Sequence, residues 1–355
     1  MAKRHFEALS HREGGGVALV SSSLTGREWA GAVWVFSDYN DYLSSCNLDM
    51  IVTRTTTGIS DVLWLANQKD LVLACDSGEL EVWRCEGPGH TLSAIAALGC
   101  HDDMVLVVRQ LAEEQLLVSG GGDGKVIVWD VEATKMVKSY RGHYGQTLSV
   151  SAHTTSSACF LSTGQDSVTL LWDTRQPKPA SKLSASRSVV YTSSTWENDN
   201  IALGSESGCV EVYDVRGDPV PFAIYSPHIR SVQRLTFAPW NSSLLASVSD
   251  DCTVAVKVLS EDNSMMVCQD HRDFVRGASW DNLDHTLLSC GWDGQFIKHS
   301  LTQLGEQCVV EPPANQVSMS CDDHTKSCDQ TETQSSELTT KEEPLDMFAD
   351  SNKVV

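Results

Sequence analysis

Four histidines each stand 22 or 23 residues ahead of an aspartate: His101 and Asp123, His143 and Asp166, His228 and Asp251, His271 and Asp293. An imidazole beside a carboxylate is the pairing used in general acid–base and nucleophilic catalysis. Gly120, Gly121 and Gly122, followed by Lys125, resemble the makings of a phosphate-binding loop. Twelve cysteines scattered from Cys46 to Cys328 offer thiolates for metal or redox chemistry.

Context removes most of this chemistry. The glycine run lies between two apolar strand-like segments, so no helix N-terminus follows it to receive a phosphate. Cysteines never occur as C-x-x-C, which speaks against a structural zinc site, because zinc needs sulfurs brought into one tetrahedron. Free thiols in a reducing cytosol or nucleus are the simpler expectation. Walker, zincin and nucleophile-elbow motifs are lacking as well. The expectation is therefore a non-catalytic chain with no cofactor and no metal.

What positions the His and Asp residues is a repeat. Asp123-Gly-Lys-Val-Ile-Val-Trp129-Asp130 echoes Asp166-Ser-Val-Thr-Leu-Leu-Trp172-Asp173 and Ser207-Gly-Cys-Val-Glu-Val-Tyr213-Asp214. Ser77-Gly-Glu-Leu-Glu-Val-Trp83 precedes them; Lys257 and His299 end two degenerate copies. The anchors 83, 129, 172, 213, 257 and 299 are spaced by 46, 43, 41, 44 and 42 residues. Each copy holds short alternating strands bounded by Gly, Asp or Ser turns, with an upstream strand closed by an aromatic residue such as Trp64, Trp196, Phe237 or Trp280. Such units read as four-stranded antiparallel blades, and one blade cannot bury both faces alone. Val17–Val20 and Ala32–Phe36, with Trp34, supply a seventh copy. Six blades is the alternative count.

The pattern G-H … D-x-x-x-x-x-W-D resembles the WD-repeat family over residues ~5–310, best at Gly142-His143, Asp166 and Trp172-Asp173. That resemblance implies an all-β, seven-bladed WD-repeat β-propeller over residues 1–310. It also makes His101, Asp123, Trp129, His143, Asp166, Trp172 and Trp83 structural, the His tying the loop before each blade to its b–c turn. Residues 311–355 carry ten acidic side chains against three lysines. They are expected to form a disordered acidic Ser/Thr-rich tail, in which Pro344–Phe348 could dock. Overall, 26 Lys+Arg against 47 Asp+Glu give −21, which disfavours nucleic acid and favours basic protein ligands. No apolar run is long enough for a membrane span.

Two departures from the repeat stand out. The first b–c connection, Ser21 to Gly31, reads as a long loop carrying Arg27 and Trp29. An exposed Trp at a loop tip would anchor a partner; alternatively, Trp29 starts the next strand and turns inward. In His271-Arg272-Asp273-Phe274-Val-Arg276, a phenylalanine falls in the loop before the last blade, flanked by arginines. First and last blades adjoin once the ring closes, so Trp29, Arg27, Phe274, Arg272 and Arg276 are expected to share one patch.

Ser23-Leu-Thr-Gly-Arg-x-Trp29, Cys75-Asp-Ser-Gly-x-x-Glu81-x-Trp83, Leu171-Trp-Asp-Thr-Arg175-x-Pro-Lys-Pro-Ala180 and His271–Arg276 are similar to the methylosome WD-repeat subunits. That resemblance implies a scaffold docked on the N-terminal barrel domain of the type II protein arginine methyltransferase, in a hetero-octamer, in cytoplasm and nucleus. It also implies Arg-rich substrates, histones and spliceosomal Sm proteins, and makes Trp29 and Phe274 docking residues. The chain is expected to depart from that family in lacking a proline-rich leader and in carrying the acidic tail instead. The alternatives are a ubiquitin-ligase substrate receptor or a generic assembly platform, and beyond those a propeller hydrolase.

Overall fold

The strand Lys125–Asp130 shows how the repeat becomes a fold. Successive side chains on a strand point to opposite faces, and here both faces are apolar. Val126 and Val128 join a core with Val150, Phe160 and Trp172 of the following sheet. Ile127 and Trp129 face the preceding one, against Leu80 and Val82. A strand buried on both sides needs a sheet on each side, and the chain satisfies this by stacking seven sheets.

The computed structural model describes residues 5–301 apart from 13, 15, 26–27, 39–49, 87–90, 113–114, 184–187, 262–263 and 300, and describes no side chains for 23–29. The strands make seven antiparallel sheets in sequence order, six of four strands and a last one of three. The first holds His5–Arg12, Gly16–Thr25, Glu28–Phe36 and Met50–Thr55; the last holds Val275–Asp281, Thr286–Gly291 and Phe296–His299. The protein is thus an all-β, seven-bladed propeller. The ring closes through a core in which Leu288, Cys290 and Phe296 of the last blade meet Phe6, Leu9, Leu19, Trp34 and Phe36 of the first. Among the described residues, no helix is long and apolar enough to cross a membrane. The tail expected over 311–355 lies outside the described residues.

The His–Asp pairs are buried struts. His143 Nδ1 lies 3.0 Å from Asp166, its Nε2 lies 2.8 Å from Ser162 Oγ, and the Trp172 indole N–H donates to the same oxygen at 2.8 Å. His101, Asp123, Ser119 and Trp129 repeat this one blade earlier. In the sixth blade Thr253 shares the link between His228 and Asp251. Because the Trp gives its proton to serine, the serine hydroxyl donates to His Nε2, and His Nδ1–H is left for the Asp. Both ring nitrogens are committed, so these residues hold the loop before each inner strand against the b–c turn. The turns need glycine for a second reason: at Gly124 φ is +73°, and a Cβ would meet the His143 carbonyl at 2.6 Å. Trp83 departs from the scheme, since Leu73 occupies the serine position and its indole donates to Glu81 instead.

Burial outweighs the Asp partner and lowers the pKa of His101, His143 and His228. In the unfolded chain each titrates near ~6.5, so below that pH the folded state binds fewer protons and loses stability as pH falls. Each imidazole contributes a slope of up to ~1.4 kcal/mol per pH unit, present only below about pH 6.5. Despite burial, the carboxylates of Asp123 and Asp251 are held below their ordinary range by hydrogen-bond donors, backbone N–H groups and His101 at Asp123 and chiefly the Thr253 hydroxyl at Asp251, so their own loss comes at more acidic pH. Urea midpoints should therefore drop between about pH 7 and about pH 5. Equal midpoints would contradict the buried neutral histidines.

Candidate protein-interaction surface

The struts put the b–c turns and the loops between blades at one end of the ring. Two stretches there break the repeat. The first is the first blade's b–c hairpin. The first six pairs of this hairpin, Val17–Phe36 to Ser22–Gly31, match the other blades, but Ser23–Ala30, Leu24–Trp29 and Thr25–Glu28 continue the ladder three pairs further. Three pairs overhang by about 10 Å. This corrects the expected long loop from Ser21 to Gly31: Trp29 stands in a strand opposite Leu24, and the connection shrinks to residues 26–27. Alternating hydrogen bonds satisfy the backbone there better than an open loop would. The hairpin is seated on the second blade, where Ser22 Oγ exchanges two 2.9 Å bonds with the Ile59 backbone. Arg27 and the Trp29 side chain lie outside the described residues.

The second stretch is the loop from His271 into Val275. Arg272 is exposed, with its backbone N–H donating to Asp293 at 3.0 Å. The Phe274 N–H donates to Asp273, and the Phe274 carbonyl accepts the Trp292 N–H at 2.9 Å. Phe274 is half-buried, one flank of its ring covered by Trp292 at 5.2 Å between centroids.

Trp292 joins the residues expected from sequence as an addition to them. It occupies the turn Gly291-Trp292-Asp293-Gly294, at the position held by Gly122, Gln165 and Asp250 in other blades. A large ring gains little in such a turn, so the turn grammar that picks out Trp29 picks out Trp292 too. Its ring carries the His5 imidazole at 5.2 Å and the Arg276 guanidinium at 5.5 Å. Arg276 reaches Glu7 at 3.5 Å and Asp250 at 3.6 Å. Burial raises the Glu7 pKa against the pull of Arg276. The Trp292 indole N–H faces that carboxylate without a well-aligned hydrogen bond. Arg230 sits 6.0 Å from the Phe274 ring, and neighbouring Ile229 is 86% exposed.

Blades six, seven and one therefore bring together two aromatic rings, a histidine and two arginines that stack on those rings. Flat aromatic surface with arginine beside it is the composition of interface anchors. Phe274 and Arg276 fall in this cluster, with Arg272 at its solvent side; the hairpin bearing Trp29 belongs to the adjoining blade at the same end.

A model of the WD domain, G-beta repeat, matches residues 89–130 and 262–297, the latter spanning His271 to Phe296. Methylosome protein WDR77 of Xenopus laevis is 35% identical over 308 residues, covering 84% of this chain and 90% of that protein. Protein valois of Drosophila melanogaster is 23% identical over 322 residues, covering 80% and 83%. The guanine nucleotide-binding protein subunit beta of Saccharomyces cerevisiae is 28% identical over 108 residues, 29% of this chain, a likeness at the level of individual repeats.

Proposed function

The chain belongs to the family of the methylosome WD-repeat proteins, and on that premise we propose that it is a non-catalytic scaffold subunit of an arginine methyltransferase complex. The b–c end of the ring docks on the type II methyltransferase, in a hetero-octamer, with Trp29, Arg27, Phe274, Arg272 and Arg276 at the joint. The remaining acidic surface draws in Arg-rich substrates such as histones and Sm proteins. The observation that carries this reading is the aromatic and arginine cluster around Trp292 beside the overhanging hairpin. Net charge of −21 adds the second half: an anionic surface raises the local concentration of basic tails. The recurring histidines supply no chemistry, since both nitrogens of each are committed inside a blade. An acidic-peptide receptor, as a ubiquitin-ligase subunit would be, is poorly served by this charge.

Replacement Trp29→Ala tests the docking. An anchoring tryptophan is worth ~2 kcal/mol or more, about 30-fold in affinity, so co-elution with the methyltransferase should fail at micromolar concentrations. Intact co-elution would remove Trp29 from the joint. In the assembled complex, the KM for a histone substrate should rise with salt, as surface charge is screened over ~8–10 Å.

A further inference from the structure

Where the sixth blade hands over to the seventh, three positions depart from the repeat together. In the fourth blade's counterpart, Tyr140, Gly142 and Trp172 meet: the Tyr and Trp rings are 4.8 Å apart. A Cβ on Gly142 would stand 2.8 Å from the indole, so glycine is needed beside that Trp. The third blade has Leu98, Cys100 and Trp129 in these places. The seventh has Cys268, Asp270 and His299. Exchanging the indole for an imidazole makes room for a carboxylate, and a thiol replaces the large apolar side chain. An apolar contact has become a set of three donors, each within 4.8 Å of the others. Cys268 and His299 are buried.

Proton bookkeeping fixes the imidazole. His271 Nδ1 lies 3.0 Å from Asp293 and its Nε2 2.8 Å from Ser289 Oγ. With Nδ1–H given to Asp293, His271 Nε2 accepts the serine proton. His299 Nε2, 2.7 Å from the same oxygen, must then donate to it, as Trp129 and Trp172 do in their blades. That leaves His299 Nδ1 as a lone pair, 3.9 Å from an Asp270 oxygen. A lone pair and a carboxylate face each other at this distance with a thiol alongside, a donor arrangement that a cation held between them would satisfy. A hydrogen-bonded second ring nitrogen is the usual support of a metal-ligating histidine.

We infer that Cys268 Sγ, Asp270 and His299 Nδ1 form a binding site for a divalent transition metal of the zinc class, stapling the sixth blade to the seventh. One thiolate, one imidazole and one carboxylate suit zinc, with water completing the tetrahedron, and suit magnesium or calcium poorly. Bonds of ~2.0–2.3 Å put tetrahedral ligands about 3.5 Å apart, so small side-chain rotations close the site. The C-x-x-C rule passes over this set because its donors come from two strands and the loop between blades.

The test is cobalt and zinc titration of the full-length, metal-stripped, reduced protein. Wild type should bind one equivalent of Co(II) with thiolate-to-cobalt charge-transfer absorption, bleached by Zn(II), and zinc but not magnesium should raise its melting temperature. Cys268→Leu should abolish the charge-transfer band, and Asp270→Gly should weaken binding at least ~10-fold. Both variants install residues that other blades carry at these places, so they should fold; melting without metal checks this. Asp270→Asn, closer in shape, serves if glycine unfolds the blade. Absence of the band in wild type overturns the site. So does a band that survives Cys268→Leu, since it would place the metal on other thiols.

Discussion

Replacing Asp61 with alanine should cost the propeller about 3 kcal/mol, the lower end of the ~3–5 kcal/mol range for breaking a buried ion pair. Asp61 lies on the inner strand of the second blade, Ile59–Trp64, and is 1% exposed. It lines the central cavity of about 530 Å³. Arg109 of the third blade donates to it at 2.6 Å and Arg234 of the sixth reaches it at 3.2 Å. Backbone N–H groups of Val62 and Val108 complete its shell. Burial opposes ionisation, but the two arginines and these donors outweigh it and hold the carboxyl below its ordinary pKa.

Without Asp61, two guanidinium groups would face each other across the channel with no counter-charge. Burial already pulls the Arg109 pKa down to about 10. Each arginine leaves about a fifth of its side chain exposed (20% and 21%), which relieves part of the penalty and sets the lower figure. Chemical denaturation of Asp61→Ala against wild type measures the loss. Adding Arg109→Leu should recover part of it, as the repulsion then disappears. A loss below about 1 kcal/mol would mean that channel water replaces the carboxylate freely.

This strut was invisible in sequence. Asp61 and Arg234 are 173 residues apart, and each reads simply as a polar position on an alternating strand. Which inner strands face each other across a ring depends on closure, and no spacing reports it. The ring itself was legible, because turn residues and strand period recur whatever the anchor is. The sixth and seventh blades form although Lys257 and His299 replace Trp, and their His–Ser contacts survive the exchange. Trp83 looks like a full anchor but lacks its serine, so identity at one position did not guarantee the contact. The first hairpin differs from its expected loop for a related reason. Ser and Thr tolerate strand and loop alike, and only the pairing of Leu24 with Trp29 shows that the ladder continues.

A functional effect as large as that at Trp29 is expected at Trp292. Trp292→Ala should weaken the proposed docking on the methyltransferase by ~2 kcal/mol or more, about 30-fold, because the ring is the centre on which Phe274, His5 and Arg276 assemble. Phe274→Ala should weaken it too, and the two losses should not add. With rings 5.2 Å apart, removing either releases the other, so the double variant should recover ~0.5–1.5 kcal/mol relative to the sum. Half-buried rings also contribute to folding, and each variant's unfolding midpoint is needed beside its affinity. A docking loss that merely follows the stability loss would reassign the cluster to holding blades one, six and seven together. Affinity lost at unchanged midpoint, with coupling between the two rings, is what a shared anchor requires.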